Sequence, residues 1–189
     1  EGDHVITTWV DRDNATTNQS MVMHALNDRK QYIATWKGRE VMHSAATWAE
    51  YAVAQERVVV PLPKELPTDV TSIIGCAVMT GAGAIINTLQ VRAGQSVAVF
   101  GAGGIGLCAI AAASIVDAHP VIAVDVNDAK LEFARRFGAT HIVNGKNDDP
   151  VQAIRELTGS GVDFALDAIG LPSTQEQILR AVRPGFSGL

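Results

Sequence analysis

Gly101-Ala102-Gly103-Gly104-Ile105-Gly106 stands between the apolar run SVAVF (96–100) and the small-residue run LCAIAAASI (107–115). The G-x-G-x-x-G spacing at a junction from strand to helix suits one chemistry in particular. The first turn of a helix presents free N–H groups and the positive end of its dipole, so an anion is stabilised there. In this pattern Gly101 permits the tight turn and Gly103 lets a pyrophosphate come close to the backbone. Gly106 lets the helix lie hard against its strand, and Gly104 is counted with them among the cofactor-binding residues. A glycine-rich turn needed only for packing is the competing reading. The next apolar run, VIAVD, ends in Asp125, 19 residues beyond Gly106. A carboxylate at that spacing accepts hydrogen bonds from adenosine ribose hydroxyls and repels a 2′-phosphate. NAD is therefore expected rather than its phosphorylated form, with Lys130 within reach of a ribose hydroxyl if it is not simply a solvated helix lysine.

The elements that must position these groups alternate regularly. SVAVFG, PVIAVDV, THIVN and VDFALDAIG read as strands. GIGLCAIAAASIVDA, DAKLEFARRFG, PVQAIRELTG and STQEQILRAVRPG read as the helices between and after them. Short apolar runs alternating with amphipathic helices predict a parallel sheet covered on both faces. Gly138 and Gly159 stand where helix C-caps belong. Ahead of this rhythm, residues 1–60 read as strands and loops, with HVITTWV, QYIATW, TWAEYAVA and ERVVV as the strand-like runs. Pro61, Pro63 and Pro67 stiffen the crossing segment PLPKELPTDV. The domain boundary is placed there, giving 1–62 and 63–189. Thr68 is expected to cap a short helix, DVTSIIG, with a longer one through AVMTGAGAIINTLQ.

The chain has 189 residues, 47% of them apolar and 19% charged, which provides ample core material. Its net charge of −5 is spread without a basic stripe, arguing against a nucleic-acid partner. The apolar stretches read as interrupted too soon for a bilayer span, so no membrane is expected. Two cysteines, Cys76 and Cys108, suggest no disulfide framework, and a cytoplasmic setting is expected. No initiating Met opens the chain, and AVRPGFSGL stops after a turn signal where a further strand is expected. These ends lead to the expectation of a fragment, cut after about four strands of the sheet.

Taken together, several ordered motifs resemble the zinc-dependent medium-chain alcohol dehydrogenases. They are GDHV (2–5), TWAEYAV (47–53), GCAVMTGAGA (75–84), AGQSVAVFGAGGIGL (93–107), AVDVNDAKLEFARRFGATHIVN (123–144) and GVDFALDAIG (161–170). The resemblance covers nearly the whole chain, least at 11–46. It implies an α/β architecture: a partial chaperonin-10-like (GroES-like) β domain followed by a truncated Rossmann doubly wound parallel sheet. It implies NAD as cofactor and a catalytic zinc held by two cysteines and a histidine. One family cysteine lies in G-C-x-x-x-T-G, here Gly75-Cys76-Ala77-Val78-Met79-Thr80-Gly81, so Cys76 is the expected ligand. Taken alone, a cysteine in such an apolar run reads as a core residue, and Cys108 keeps that reading. Thr80 matches the family threonine beside the nicotinamide, Ile105 is expected near the cofactor, and Ile169 near the adenine or ribose linkage.

The other zinc ligands of the family fall upstream of GDHV, so they are expected outside this chain. His4, His24, His43, His119 and His141 match none of them and read as surface or strand-edge residues, although His43 and Trp48 are placed on the substrate side. Residues 6–75 contain no cysteine, so no structural zinc is expected. Zinc as Lewis acid would favour an alkoxide that releases hydride to the nicotinamide. The expected parent is thus an alcohol dehydrogenase acting on a small alcohol or aldehyde, a homodimer or homotetramer, with the isolated chain inactive. Two other readings stay open: a zinc-free, quinone-reductase-like relative, which Cys76 and Asp125 oppose, and a non-catalytic dinucleotide-binding fragment.

Overall fold

The structure is a computed structural model that describes residues 2–8, 34–36, 39–41, 50, 51, 54 and 56–189. His24, His43, Trp48 and most of the excursion at 11–46 lie outside the described residues. The chain divides into two compact units, Glu1–Cys76 and Ala77–Leu189.

In the first unit, β1 (His4–Thr7) pairs antiparallel with β4 (Val59–Leu62), and β2 (Ala34–Trp36) with β3 (Arg39–Val41). The ERVVV run is not all strand: Glu56–Val58 form a 3₁₀ turn before β4 begins. β4 then continues into the proline segment, where Pro61 stands opposite Val5. A proline is tolerated there because it needs no ladder partner on the side of a strand that is unpaired among the described residues.

One helical run, α1 (Thr68–Thr88), replaces the two helices expected. Its turns widen to π geometry at Ile74–Val78 and Ala84–Thr88. Pro67, extended at φ −69° and ψ 129°, holds the N-cap position expected of Thr68, which becomes the first helical residue. Pro67 supplies its carbonyl oxygen to the N–H and the Oγ1 hydroxyl of Thr71. At 21 residues, α1 is long and apolar enough to cross a membrane by length and composition, contrary to the reading of short apolar stretches. The glycines taken as interruptions do not break it. Within the second unit, Gly81 packs closely on residues 104–115: a Cβ there would lie 2.3 Å from the Ile105 carbonyl oxygen.

The second unit is built on a five-stranded parallel sheet. Its strands are β5 (Val97–Phe100), β6 (Val121–Asp125), β7 (His141–Asn144), β8 (Val162–Asp167) and β9 (Val182–Gly188), in the order β7-β6-β5-β8-β9. Counted from β5 this is 3-2-1-4-5, the doubly wound order with its switch point between β5 and β8. The helices are α2 (Gly104–Ile115), α3 (Asp128–Arg135), α4 (Pro150–Thr158) and α5 (Pro172–Ala181). Val97 and Val99 of β5 face a core with Ala109, Ile110 and Leu131, whereas Ala98 and Phe100 face one with Ile154 and Ile178. Alternate side chains of one strand thus bury two layers, as a sheet covered on both faces requires. Polar side chains set helix starts: Asn127 Oδ1 accepts from the Lys130 N–H and Asp149 Oδ1 from the Val151 N–H.

The sheet therefore has a fifth strand where four were expected. R-P-G reads as a stop, but β9 lies at an end of the observed strand order, where a residue without an N–H costs little. The pairing with β8 is irregular between Val162 and Phe164. At the amino end of β8, buried Asp163 accepts from the Ser96 N–H (2.7 Å) and Oγ (2.9 Å), and its other oxygen meets the Arg183 guanidinium.

Candidate functional site

The carboxyl ends of β5, β6 and β8 gather most of the residues singled out in the sequence. Phe100 closes β5 in register with Val124 on one side and Asp167 on the other. Beyond it, Gly101 takes φ +100°, a left-handed conformation that only glycine adopts cheaply, and donates its N–H to the Val124 carbonyl at 2.7 Å. Gly103 is extended and starts α2, and no atom lies within 4 Å of where its Cβ would stand. A Cβ on Gly104 would make only ordinary contact, 3.7 Å from the Ala77 Cβ. Gly106 differs, because its Cβ would lie 1.7 Å from the Gly101 carbonyl oxygen. One glycine keeps space open and the other lets two stretches of backbone touch.

No side chain caps the N-terminus of α2 and no acidic residue occupies its first turn. Free N–H groups at the positive end of a 12-residue helix, beside open space at Gly103, form a cradle for an anion. Ile105 is half-buried in that first turn.

Asp125 ends β6 and is buried. Its Oδ1 accepts from the N–H groups of Val126 (2.8 Å) and Asn127 (3.0 Å), and Oδ2 accepts from the Ala102 N–H (2.9 Å). The carboxylate thus ties the glycine loop to the neighbouring strand. A carboxylate offers about four acceptor directions, so Oδ2 retains one for a hydroxyl. These residues fit the adenosine and pyrophosphate portion of a dinucleotide. Lys130 stands exposed in the first turn of α3.

Ile169 follows β8 and brings its Cγ1 to within 2.8 Å of where a Gly101 Cβ would stand. It therefore shares the switch-point cleft with the glycine loop. The acid that shapes its turn, Asp167, is not among the residues that the sequence motifs single out. The signal was present as D-A-I-G, an Asp followed by a glycine turn directly after an apolar strand.

Cys76 is an exposed thiol on α1, its N–H directed to the Ile73 carbonyl at 3.4 Å. Gly75 beside it packs so closely that a Cβ would lie 2.3 Å from the Thr7 carbonyl oxygen. Thr80, four residues further along α1, is exposed as well. Among the described residues, no three His, Cys, Asp or Glu side chains gather into a metal-binding group. A zinc site of three protein ligands is not completed by those residues. Cys108 is half-buried on α2, and burial pushes its thiol above the usual range.

The profile of the zinc-binding dehydrogenase family matches residues 104–187. The chain is 36% identical over 157 residues to S-(hydroxymethyl)glutathione dehydrogenase of Saccharomyces cerevisiae, covering 79% of this chain and 41% of the yeast protein. Over 156 residues it is 38% identical to the Synechocystis protein of the same name, covering 80% and 42% of the two chains. Among solved structures, benzyl alcohol dehydrogenase of Acinetobacter calcoaceticus superimposes with a TM-score of 0.85 at 33% identity, over 99% of this chain and 54% of that one. An alcohol dehydrogenase zinc-binding domain protein of Burkholderia ambifaria gives 0.80 at 37%, over 96% and 53%. The chain spans about two fifths of the length of the curated relatives and about half that of the solved structures.

Proposed function

This chain belongs to the zinc-dependent medium-chain alcohol dehydrogenase family, and from that premise we propose that it contributes the NAD-binding portion of an enzyme moving hydride between a small alcohol and NAD. The observation that carries the reading is the cradle at the start of α2, uncapped, free of acid and open at Gly103, with the Asp125 carboxylate at its edge. In this assignment the N–H groups of α2 bind the pyrophosphate, aided by Gly101 and Gly106, which let loop and helix close up. Gly104 and Ile105 form the floor of the cradle. The free acceptor direction of Asp125 takes an adenosine ribose hydroxyl, and its charge disfavours a 2′-phosphate there. Lys130 reaches the ribose edge, while Ile169 packs beside the linkage and excludes water from it.

Bound NAD supplies the hydride acceptor of the reaction. Thr80 is assigned to the nicotinamide side, its hydroxyl orienting substrate or ring. Family membership carries zinc in general terms, and Cys76 is the ligand this chain offers to it. The described residues hold only that one member of a ligand set.

The substrate class we propose is a small alcohol with its aldehyde or ketone, in a cytoplasmic homodimer or homotetramer. Fractionation and sedimentation measurements test location and assembly. The deciding experiment titrates the protein with NAD and NADP by calorimetry and assays alcohol-dependent NADH formation at 340 nm. Tight NAD binding with much weaker NADP binding is expected of this chain, and turnover of alcohols is expected of the whole enzyme to which it contributes. Failure to bind NAD refutes the reading, and binding without turnover leaves a dinucleotide-binding protein alone. Zinc content of the whole enzyme with and without Cys76→Ser tests the ligand assignment, with loss of metal expected in the variant.

A further inference from the structure

The glycine loop is held from both flanking strands. On the β6 side, Asp125 binds the Ala102 N–H. On the β8 side stands Asp167, in register with Phe100. Its Oδ1 accepts from the Ile169 N–H at 3.0 Å, and its Oδ2 accepts from the Gly170 N–H at 3.2 Å. The turn is pinned at its start, where the Ala168 N–H donates to the Phe100 carbonyl at 2.8 Å. It ends at Gly170 with φ +84°, a left-handed position suited to glycine. Between these fixed points, Ile169 is brought against Gly101.

We infer that Asp167 is a positioning residue for the dinucleotide cleft: by folding the 167–170 turn with both carboxylate oxygens, it holds Ile169 against Gly101 and sets the β8 wall of the site. The inference rests on the NAD reading above. Asp167 is not a catalytic residue and is assigned no contact with the ligand. The Gly170 N–H is shared, 3.2 Å from Oδ2 and 3.4 Å from Oδ1, so Oδ1 reaches both N–H groups and Oδ2 supplies the shorter bond to the second. Asparagine retains one acceptor and turns an NH₂ group toward the second N–H. Alanine retains neither.

The test is a double-mutant cycle on NAD affinity, read by calorimetry on wild type, Asp167→Ala, Ile169→Ala and the double variant, with melting temperature recorded for each. Asp167→Ala is expected to weaken NAD binding about tenfold, the order expected for losing two hydrogen bonds that order a binding wall. In the Ile169→Ala background the same change is expected to cost about twofold or less, because the residue it positions is gone. Asp167→Asn is expected to fall between wild type and Asp167→Ala. As a control, Ile154→Val trims the core on the α4 side and is expected to lower the melting temperature with NAD affinity intact. Unchanged affinity in both Asp167 variants, or full additivity with Ile169→Ala, overturns the positioning role while leaving the NAD reading standing. No binding by wild type overturns both. Should Asp167→Ala not fold, Asp167→Asn decides: affinity equal to wild type overturns the role.

Discussion

Replacing Gly103 or Gly106 by alanine adds the same methyl group three residues apart, yet the structure predicts opposite failures. At Gly106 the new Cβ would stand 1.7 Å from the Gly101 carbonyl oxygen. Carbon and carbonyl oxygen ordinarily meet at about 3.3 Å, so loop and helix must part by about 1.6 Å. Both colliding groups belong to the backbone, so no rotamer change relieves them. Overpacking of this kind costs about 1–3 kcal/mol. The parting also pulls on the Ala102 N–H, bound to Asp125 at 2.9 Å, and losing a hydrogen bond to a charged group adds about 1.5–3 kcal/mol. A total of about 4 kcal/mol lowers the melting temperature by about 15 °C in a domain of this size. At Gly103 nothing stands within 4 Å of the added methyl, and the extended backbone there suits any residue. The stability cost is that of a poorer N-cap, up to about 1 kcal/mol. The methyl instead enters the space assigned to phosphate, and forfeiting charge-assisted bonds worth about 3 kcal/mol weakens NAD more than a hundredfold. Thermal unfolding and calorimetric titration of the two variants separate these outcomes. A Gly103→Ala protein that binds NAD like wild type refutes the placement of the phosphate. A Gly106→Ala protein with an unchanged melting temperature refutes the packing argument.

Four further outcomes follow from individual contacts. Burial raises the Cys108 thiol, so in the native protein a maleimide at pH 8 is expected to modify exposed Cys76 far faster. Because the folded state holds Cys108 protonated, its contribution to stability is complete below the free thiol range and lost as pH rises above about 9, and Cys108→Ala is expected to flatten the melting-temperature profile there. Asp163→Ala strips two hydrogen bonds from Ser96 and the partner of Arg183, and about 3 kcal/mol, or roughly 10 °C in melting temperature, is expected with the glycine loop unaffected. Gly81→Ala sets a Cβ 2.3 Å from the Ile105 carbonyl oxygen, and about 1–3 kcal/mol of destabilisation is expected together with weaker NAD binding, since Ile105 lies in the first turn of α2.

What could be read from the sequence divides along physical lines. The glycine loop and Asp125 are legible because a short segment carries its own chemistry: a turn, a helix start and an acid one strand away. The alternation of β5 through α5 is legible for the same reason, since fully buried parallel strands leave little ambiguity against amphipathic helices. Misreadings cluster where a residue's meaning depends on an atom far away in sequence. Gly75 and Gly81 look like breaks in an apolar run until the Thr7 and Ile105 carbonyls are seen against them, and then they are conditions for α1 to continue. Pro184 and Gly185 look like a stop until β8 supplies a partner across the whole of α5. Asp167 looks like a surface turn acid until the register of β8 with β5 sets it beside Phe100, one residue from the loop. Local propensity gives glycine, proline and aspartate the same punctuating role in all these places. Only pairing decides whether the mark ends an element, admits a neighbour, or fixes a wall of the site.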